Sequence, residues 1–198
     1  KHIVFFTGAG VSTDSGIPDF RSTDGLYNMK YDFPPETIIS HSFFMDNPEE
    51  FYRFYRDKMI YPDARPSITH HFIAKCEAKG ISSGVITQNI DGLHTSAGSE
   101  NVIELHGSVL RNTCMKCGKK HSLSSIITPD KLPLCSCGGL IKPDVVLYEE
   151  RLDAEMIEKI LSFEPKPLYP KIKVRMDIVS RDKVKCICPW TTPQLIVI

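Results

Sequence analysis

The 198-residue chain carries 24 basic and 24 acidic residues, so its formal net charge at pH 7 is zero. This balance argues against nucleic acid or an anionic membrane as the main partner, and no apolar run approaches the length of a membrane span. Seven cysteines, four of them in two close pairs, favour a reducing compartment with a metal site over a secreted disulfide framework. We expect a soluble, cytoplasmic protein without a signal peptide, built as one domain or as a large and a small one.

A buried strand followed by a glycine turn opens the chain. Residues 3–6 are apolar, and the Gly-Ala-Gly turn at residues 8–10 lets backbone N–H groups approach a ligand closely. The segment from about Val11 can begin a helix, whose N-terminal N–H groups favour a phosphate. Because Thr13 occupies the third glycine position of the Rossmann fingerprint, an ordinary strand-to-helix turn stays open as the alternative.

A carboxylate, an aromatic ring and a guanidinium group stand side by side at Asp19, Phe20 and Arg21. A turn needs no such trio, whereas a phosphorylated cofactor with a flat ring can use all three. The trio therefore favours nucleotide binding over the ordinary turn.

Two helices are predicted next. Asn47 and Pro48 are typical of a helix start, and the helix that they open is expected to end at Pro62. Ser67 caps the second helix. The side chains expected to face the core are Phe51, Phe54 and Tyr55 in the first helix, and Ile68, Phe72, Ile73 and Cys76 in the second.

Polar residues directly follow two further strands. The strand at residues 84–87 leads into residues 88–91, and the strand at residues 102–105 leads into His106. The alternation of strands with a helix predicts a parallel, doubly wound sheet. Because the carboxyl ends of parallel strands lie along one edge, residues 8–21, 88–91 and His106 are expected to converge on one crevice.

Two cysteine pairs predict a structural zinc site. A hairpin-length segment separates the pairs and a glycine follows each of them, which suits four thiolates around a tetrahedral Zn²⁺ ion. Reduced pairs or labile disulfides are the alternative. His121 could compete as a ligand, but four thiolates already fill the site, whereas the adjacent His70 and His71 make a poor metal pair. The predicted ligands are Cys114, Cys117, Cys135 and Cys137.

An apolar strand and a helix precede a tail of different character. Residues 141–148 predict the strand, and Asp153 caps the helix, which is expected to turn Met156, Ile157, Ile160 and Leu161 inward. The last 36 residues hold five prolines and an alternating segment, residues 171–178, typical of a half-exposed strand.

The opening turn and the sequence Gly-Ile-Pro-Asp-Phe-Arg-Ser at residues 16–22 resemble the first motif of the sirtuins, the NAD-dependent protein-lysine deacylases. The resemblance extends to about residue 162 and includes Thr-Gln-Asn-Ile-Asp at residues 87–91, Leu-His-Gly at residues 105–107 and Lys-Pro-Asp-Val-Val at residues 142–146. It implies an α/β fold with a Rossmann-like doubly wound parallel sheet, a small zinc-binding module and a helical insert. The implied NAD-binding domain comprises residues 1–27, 62–108 and 141–198, and the implied small domain comprises the insert, residues 28–61, and the zinc module, residues 109–140.

The resemblance also implies a role for each candidate residue. An acetyl-lysine peptide would lie in the cleft between the two domains. His106 would be the general base, with Asn89 and Asp91 completing the catalytic group. The implied substrate contacts are Val146, Tyr148 and Glu149. The implied NAD contacts are Gly8, Ala9, Gly10, Ser12, Thr13, Asp19, Phe20, Arg21, Gln88, Asn89, Ile90 and Asp91.

By family analogy, the acetyl oxygen attacks a ribose carbon of NAD, nicotinamide leaves and an alkylimidate forms. His106, with a pKa expected near the unperturbed value of about 6.5, then helps a ribose hydroxyl attack the imidate. The products would be nicotinamide, the free lysine and O-acetyl-ADP-ribose. The alternatives are an inactive NAD- or ADP-ribose-binding module, an ADP-ribosyltransferase or NAD hydrolase, and a zinc-ribbon nucleic-acid module that the neutral charge disfavours. We expect a monomer.

The sequence departs from the sirtuin pattern in three places. The second cysteine pair is Cys-x-Cys rather than the commoner Cys-x-x-Cys, and Tyr148, Glu149 and Glu150 stand where many members have an aromatic residue, a glycine and a glutamate on the substrate strand. The third departure is the tail: residues 163–194 have no counterpart, so we expect residues 163–198 to pack poorly and NAD to bind weakly. Residues 195–198 could be the strand that precedes the Gly-Thr-Ser motif of the family. The first predicted strand begins almost at residue 1, which suggests further sequence upstream. The Tyr-x-x-Arg pair of members that remove acidic acyl groups is absent, although Arg56 could reach the pocket from another register. We therefore favour acetyl or a short uncharged acyl group.

Overall fold

The computed structural model describes residues 3–19, 32–129, 131–152, 154–162 and 195–197. The strands are β1 (Ile3–Thr7), β2 (Ser82–Thr87), β3 (Val102–Glu104), β4 (Gly107–Cys114), β5 (Lys120–Ser122), β6 (Ile141–Val145) and β7 (Leu195–Val197). The α-helices are α1 (Pro35–Ile38), α2 (His41–Asp46), α3 (Pro48–Lys58), α4 (Ile68–Ala78), α5 (Leu93–Ser96) and α6 (Ala154–Ser162). Two 3-10 helices span Ala9–Ser15 and Leu123–Ser125.

A four-stranded parallel sheet positions the polar strand ends that the sequence singles out. Its order is β3-β2-β1-β7, and β2 pairs in parallel with both β1 and β3. Thr7 lies opposite Thr87, and Thr87 lies opposite Glu104, so the three strands finish at the same level. The predicted parallel sheet is confirmed.

The last described strand lies beside β1. Val4, Phe5 and Phe6 pair in parallel with the three residues of β7. The expectation that the tail would pack poorly is therefore wrong for residues 195–197, because their backbone extends the sheet. Residues 163–194 and 198, which include the predicted strand at 171–178, lie outside the described residues.

A three-stranded antiparallel sheet, ordered β5-β4-β6, carries the four cysteines at and around its ends. The start of β4 also touches the site, because Gly107 pairs with Val145 directly after His106. Gly107 has φ +77, and a Cβ atom built on it would lie 1.9 Å from the carbonyl oxygen of Asp144. Only glycine permits both that backbone conformation and that close approach.

Separate apolar clusters support the two sheets. Phe5, Ile73 and Val85 pack between α4 and one face of the parallel sheet, while Val4, Ile86 and Ile103 form a cluster on the other face. A larger cluster joins α1, α2 and α3 to the antiparallel sheet. Its fully buried aromatic members are Phe44, Phe51, Tyr52 and Tyr55.

The helix α3 begins where the sequence predicts and ends earlier. Asn47 holds the N-cap position, but its side chain makes no capping hydrogen bond, and the helix stops at Lys58 rather than at Pro62. The predicted core face, Phe51, Phe54 and Tyr55, is buried. Tyr52 is buried as well, and its hydroxyl donates a hydrogen bond to the carbonyl of Ile141. The buried face is wider than predicted because α3 packs against both its neighbouring helices and β6.

The helix α4 corrects two predicted core positions. Ser67 caps it as expected, and Ile73 and Cys76 are buried, but Ile68 is 81% exposed and Phe72 is 58% exposed. At about 100° per residue, Ile68 lies about 140° around the helix from Ile73, and Phe72 about 100°. The sheet therefore covers only the narrower face centred near Ile73, and the ring of Phe72 meets Phe5 edge-on.

The predicted inward face of α6 is correct at one described position. Ile160 is half-buried and packs against the cluster of Val4, Ile86 and Ile103, whereas Ile157 is 38% exposed. This helix lies mainly beside the edge strand β3, and Ile160 reaches the cluster that β1, β2 and β3 share. Asp153 and the side chains of Met156 and Leu161 lie outside the described residues.

The backbone at Gly107 provides a direct stability test. Gly107→Ala adds backbone strain in the left-handed region and a collision with the Asp144 carbonyl. Gly80→Ala adds the backbone strain alone, because Gly80 lies at φ +67 and no described atom lies within 4 Å of its Cβ position. We expect Gly80→Ala to cost about 1–2 kcal/mol and Gly107→Ala to cost several kcal/mol, measured by urea unfolding. Equal losses would show that β4 moves freely away from β6.

Candidate active site and metal centre

The glycine turn leaves space beside its backbone. No described atom lies within 4 Å of a Cβ built on Gly8 or Gly10, and the turn continues as a 3-10 helix that closes at Gly16, at φ +82. The sequence predicts a helix from about Val11, and the structure shows this tighter form instead. Ala9 is half-buried, and the exposed Thr13 donates its hydroxyl to the carbonyl of Gly10 at 2.9 Å.

A hydrogen-bonded trio joins this turn to the end of β2. The buried Ser12 hydroxyl donates to Oδ2 of Asp91 at 2.6 Å, and Nδ2 of Asn89 donates to the same hydroxyl oxygen at 3.0 Å. The other carboxylate oxygen of Asp91 accepts the backbone N–H of Leu93 at 2.9 Å. The structure thus brings Ser12 together with Asn89 and Asp91, which lie 77 and 79 positions further along the chain.

The backbone of residues 88 and 90 links β1, β2 and β4. The N–H of Gln88 donates to the carbonyl of Thr7, while the carbonyl of Ile90 accepts the N–H of Val109, both at 3.0 Å. The side chain of Gln88 is exposed and that of Ile90 is half-buried. These bonds fix residues 88–91 as a rigid edge.

His106 lies at this edge with a defined tautomer. Its Nδ1 lies 3.0 Å from the carbonyl oxygen of Gln88. Because a carbonyl only accepts, Nδ1 must carry the proton, and Nε2 then keeps the lone pair of the neutral imidazole. Burial lowers the pKa of His106, and the hydrogen bond to Gln88 offsets this in part. The pKa of His106 is therefore lower than the unperturbed value that the sequence led us to expect. The neutral form, which can accept a proton, is favoured at pH 7.

The implied substrate residues lie beside His106 and the helical insert. The N–H of Val146 donates to the carbonyl of His106 at 2.9 Å, and Tyr148 forms a parallel bridge with Ser40. Tyr148 is half-buried and Glu149 is exposed. The apolar strand predicted at residues 141–148 ends early, at Val145, because the chain leaves β4 there and runs along the insert.

Asp19 is half-buried at the end of the described N-terminal segment. Phe20 and Arg21, the other two members of the predicted trio, lie outside the described residues.

Two buried histidines beneath the turn were missed by the sequence argument. His94 places Nε2 2.9 Å from the hydroxyl of Thr7, and His70 shares a capping box with Ser67, whose hydroxyl donates to the carbonyl of Val11. The two imidazole rings lie 4.6 Å apart and are 0% and 1% exposed. Adjacent residues of a helix point in different directions, so the sequence could have suggested that one of His70 and His71 faces the core. The structure buries His70 and exposes His71.

The four cysteines converge as predicted. Their Sγ atoms all lie within 4.8 Å of one another, with 3.5 Å between Cys114 and Cys137 and 3.7 Å between Cys117 and Cys135. Zn–S bonds of about 2.3 Å place the corners of a tetrahedron about 3.8 Å apart, so the separations fit Zn²⁺. The cluster fits a structural zinc ion with no open coordination position. Cys76 is buried elsewhere, and Cys186 and Cys188 lie outside the described residues.

Backbone hydrogen bonds prepare two of these thiols for a cation. The N–H of Cys117 lowers the pKa of Cys114, and the N–H of Cys137 lowers the pKa of Cys135 to about 5. Gly139 passes so close to Sγ of Cys114 that a Cβ atom there would lie 2.7 Å from the sulfur. A thiolate pair in so small a volume calls for a compensating positive charge.

Arg56 lies away from the crevice. Its Nε donates to the carbonyl of Ile126 at 2.6 Å and its Nη2 to the carbonyl of Lys131 at 2.5 Å. The guanidinium also lies 5.1 Å from the centre of the Tyr52 ring. The expectation that Arg56 could reach the pocket is wrong, because the side chain fastens α3 to the segment between the two cysteine pairs.

A parallel sheet with a polar cluster at the carboxyl ends of β1, β2 and β3, joined to a four-cysteine module, defines a Rossmann-like nucleotide-binding class with a zinc module. The sequence profile of the Sir2 family matches residues 8–166. The chain belongs to the Sir2 family, and the resemblance inferred from its motifs is confirmed, as is the predicted fold class.

Relatives and solved structures agree with this assignment. The chain is 55% identical over 160 residues to the NAD-dependent protein deacetylases of Clostridium acetobutylicum and Clostridium perfringens, which covers 79% of this chain. It spans 65% and 66% of their length, just under two thirds. A Sir2 protein solved with a deacetylated p53 peptide and 3'-O-acetyl-ADP-ribose matches with a TM-score of 0.75 and 41% identity, over 82% of this chain and 67% of that one. No helix among the described residues is long and apolar enough to cross a membrane.

The metal centre predicts one zinc ion per chain. Metal analysis of protein purified under reducing conditions should give about one zinc for the unaltered chain and for Cys76→Ala, whose thiol lies outside the cluster. Cys135→Ala should lose the ion and destabilise the antiparallel sheet, since a structural zinc contributes directly to folding. A folded protein without zinc would refute the assignment.

The buried histidine pair predicts acid sensitivity. Burial is the main cause that lowers the pKa of His70 and that of His94, the latter to about 4, and the neighbouring His70 lowers it further. Between pH 6.5 and 4 the unfolded chain therefore binds more protons, so stability is full above about pH 6.5 and falls as the pH drops, by up to about 1.4 kcal/mol per pH unit for each histidine.

Urea unfolding at pH 7 and pH 5 measures this dependence. His94→Gln should reduce it, because only His70 then remains as a buried histidine of the pair, whereas the exposed His71→Gln should change it little, since His71 is the last of the causes that act on the pKa of His70. The same pH dependence in all three proteins would show that the pair is not the acid-sensitive element.

Proposed function

We propose that this protein is an NAD-dependent protein-lysine deacetylase that releases nicotinamide and forms O-acetyl-ADP-ribose. The observation that carries the proposal is the orientation of His106, whose Nδ1 is held by the carbonyl of Gln88 so that Nε2 is the basic nitrogen. This nitrogen belongs to the same strand edge as the trio of Ser12, Asn89 and Asp91. The named activity of the Clostridium relatives supports the same reaction.

The strand edge fits NAD in two parts. The open turn at Gly8 and Gly10 can receive the phosphates, because no described side chain fills the space beside it. The trio and the exposed Gln88 would hold the nicotinamide and its ribose, with Asp91 oriented by its bonds to Ser12 and Leu93. Ala9, Thr13, Asp19, Phe20, Arg21 and Ile90 complete the proposed NAD contacts. When bound, NAD supplies the ribose carbon from which nicotinamide departs.

His106 would act as the general base. The lowered pKa keeps the imidazole neutral at pH 7, so Nε2 can take the proton of a ribose hydroxyl. The carbonyl of Gln88 then stabilises the imidazolium through Nδ1–H. The carbonyl of His106 accepts the N–H of Val146, which keeps the histidine backbone in place during proton transfer.

The peptide would lie along residues 146–149, between the parallel sheet and the small domain. We assign residues 1–27, 62–108 and 141–198 to the large domain and residues 28–61 and 109–140 to the small one. The separate apolar clusters of the two sheets support this division up to residue 140, whereas Ile141, Val145 and Leu147 pack in the cluster of the insert. The engagement of Arg56 by two carbonyls supports an acetyl or short uncharged acyl group over an acidic one.

We further propose a cytoplasmic monomer without a nucleic-acid or membrane partner, and the free cysteines suit such a reducing compartment.

The decisive experiment measures nicotinamide release from NAD with and without an acetylated lysine peptide. We expect release to depend on the peptide and to match its deacetylation one for one. Release without the peptide would identify an NAD hydrolase instead. Binding of NAD or ADP-ribose without any turnover would identify a binding module.

His106→Ala tests the base within that assay. Removing a positioned base costs roughly 10²–10⁴ in rate, while the NAD dissociation constant should stay within a few fold because the base acts after binding. His71→Ala, at an exposed neighbour of the buried pair, is the matched control and should keep the full rate. Deacetylation at the original rate by His106→Ala would reduce His106 to a structural residue.

A further inference from the structure

Glu149 has an unusual backbone conformation. It lies at φ +73, and it is the one residue with a side chain at positive φ among the described parts of the chain. A Cβ atom makes this region unfavourable, so a residue stays there only when its surroundings hold it. The surroundings of Glu149 therefore show what the conformation secures.

The carboxylate of Glu149 is bound on both oxygens by one residue of the helical insert. Oε2 accepts the backbone N–H of Ser42 at 2.9 Å, and Oε1 accepts the Ser42 hydroxyl at 3.0 Å. Ser42 is the second residue of α2, a position whose N–H has no partner within the helix. The side chain thus points back to the insert.

The residues on either side of Glu149 are tied to the same element. The N–H of Tyr148 donates to the carbonyl of Ile39, and the carbonyl of Tyr148 accepts the N–H of His41, both at 3.0 Å. Glu150 pairs with His41 at 2.8 Å and with Lys142 of β6 at 3.1 Å. Residues 147–150 are therefore clamped between the insert and β6.

This clamp continues into the candidate active site. Two residues before Tyr148, the N–H of Val146 donates to the carbonyl of His106 at 2.9 Å. A change of conformation at Glu149 would move the Tyr148 bridge first and the His106 contact next. The segment that borders the base is thus set from its far end.

We propose that Glu149 is a positioning residue, which acts through Ser42 to hold residues 146–148 in the conformation that receives the acylated peptide. This inference rests on the proposed function and adds how the peptide-binding segment is fixed. In this role the carboxylate acts as a hydrogen-bonding partner of Ser42, which an uncharged side chain of the same shape could replace. Peptides with basic and with neutral neighbours of the acetyl-lysine should therefore respond alike to its replacement.

Three variants separate an action of Glu149 through its hydrogen bonds from an action through its charge. Glu149→Gln keeps an acceptor for the Ser42 N–H and a donor for its hydroxyl, so it should retain the peptide KM. Glu149→Ala loses both bonds and should raise the peptide KM about tenfold, with kcat and the KM for NAD within about twofold. Ser42→Ala in the Glu149→Ala background should add nothing further. Glu49→Ala, at an exposed glutamate of α3, is the control and should behave as the unaltered protein.

Steady-state kinetics of both substrates and the peptide dissociation constant, measured by fluorescence anisotropy, decide the matter. An unaltered protein that binds the peptide without deacetylating it refutes the proposed function, and the dissociation constants of the variants still test the positioning role. An unchanged peptide constant in Glu149→Ala, or an equal loss in Glu149→Gln, overturns the positioning role. Equal losses of affinity for peptide and for NAD in Glu149→Ala also overturn the positioning role. An unaltered protein that does not bind the peptide overturns it as well.

Discussion

The hydrogen bond from Ser12 to Asp91 depends on the register of two parallel strands. Because Thr7 lies opposite Thr87, β1 and β2 end at the same level. The polar residues that follow the two strands therefore face each other. Asn89 then closes the trio by donating to the same hydroxyl. A slip of one residue in this register would reverse the side chains of β2 and separate the three groups. The candidate site is therefore a consequence of strand pairing more than of any loop.

Sequence reasoning reached the features that follow from period and spacing. Residues 3–6 and 84–87 are apolar runs that end in polar residues, and parallel pairing brings such ends together without further information. The cysteine pairs were equally predictable, because short spacing and a following glycine constrain the thiolates strongly. The burial of Phe51, Phe54 and Tyr55 followed from helical periodicity alone.

The remaining features depend on tertiary neighbours that no local pattern contains. The exposure of Ile68 and Phe72 results from how narrow a face the sheet offers to α4, and nothing in their own sequence shows it. The pairing of His70 with His94 joins residues of two helices, and the engagement of Arg56 by two carbonyls depends on the fold of the cysteine module. The pKa of His106 likewise depends on burial that the sequence does not show.

Polar groups buried beneath the glycine turn connect stability with the candidate chemistry. Thr7 ends β1 and meets His94, while Ser67 reaches the carbonyl of Val11 inside the 3-10 helix. Both imidazoles are favoured as neutral groups at pH 7, because burial disfavours their charged form more than the nearby Asp91 carboxylate favours it. The turn that would receive the phosphates of NAD thus rests on a neutral polar layer. The same burial that makes this layer sensitive to acid holds the turn in one conformation, so the stability of the layer and the shape of the site have a common physical origin.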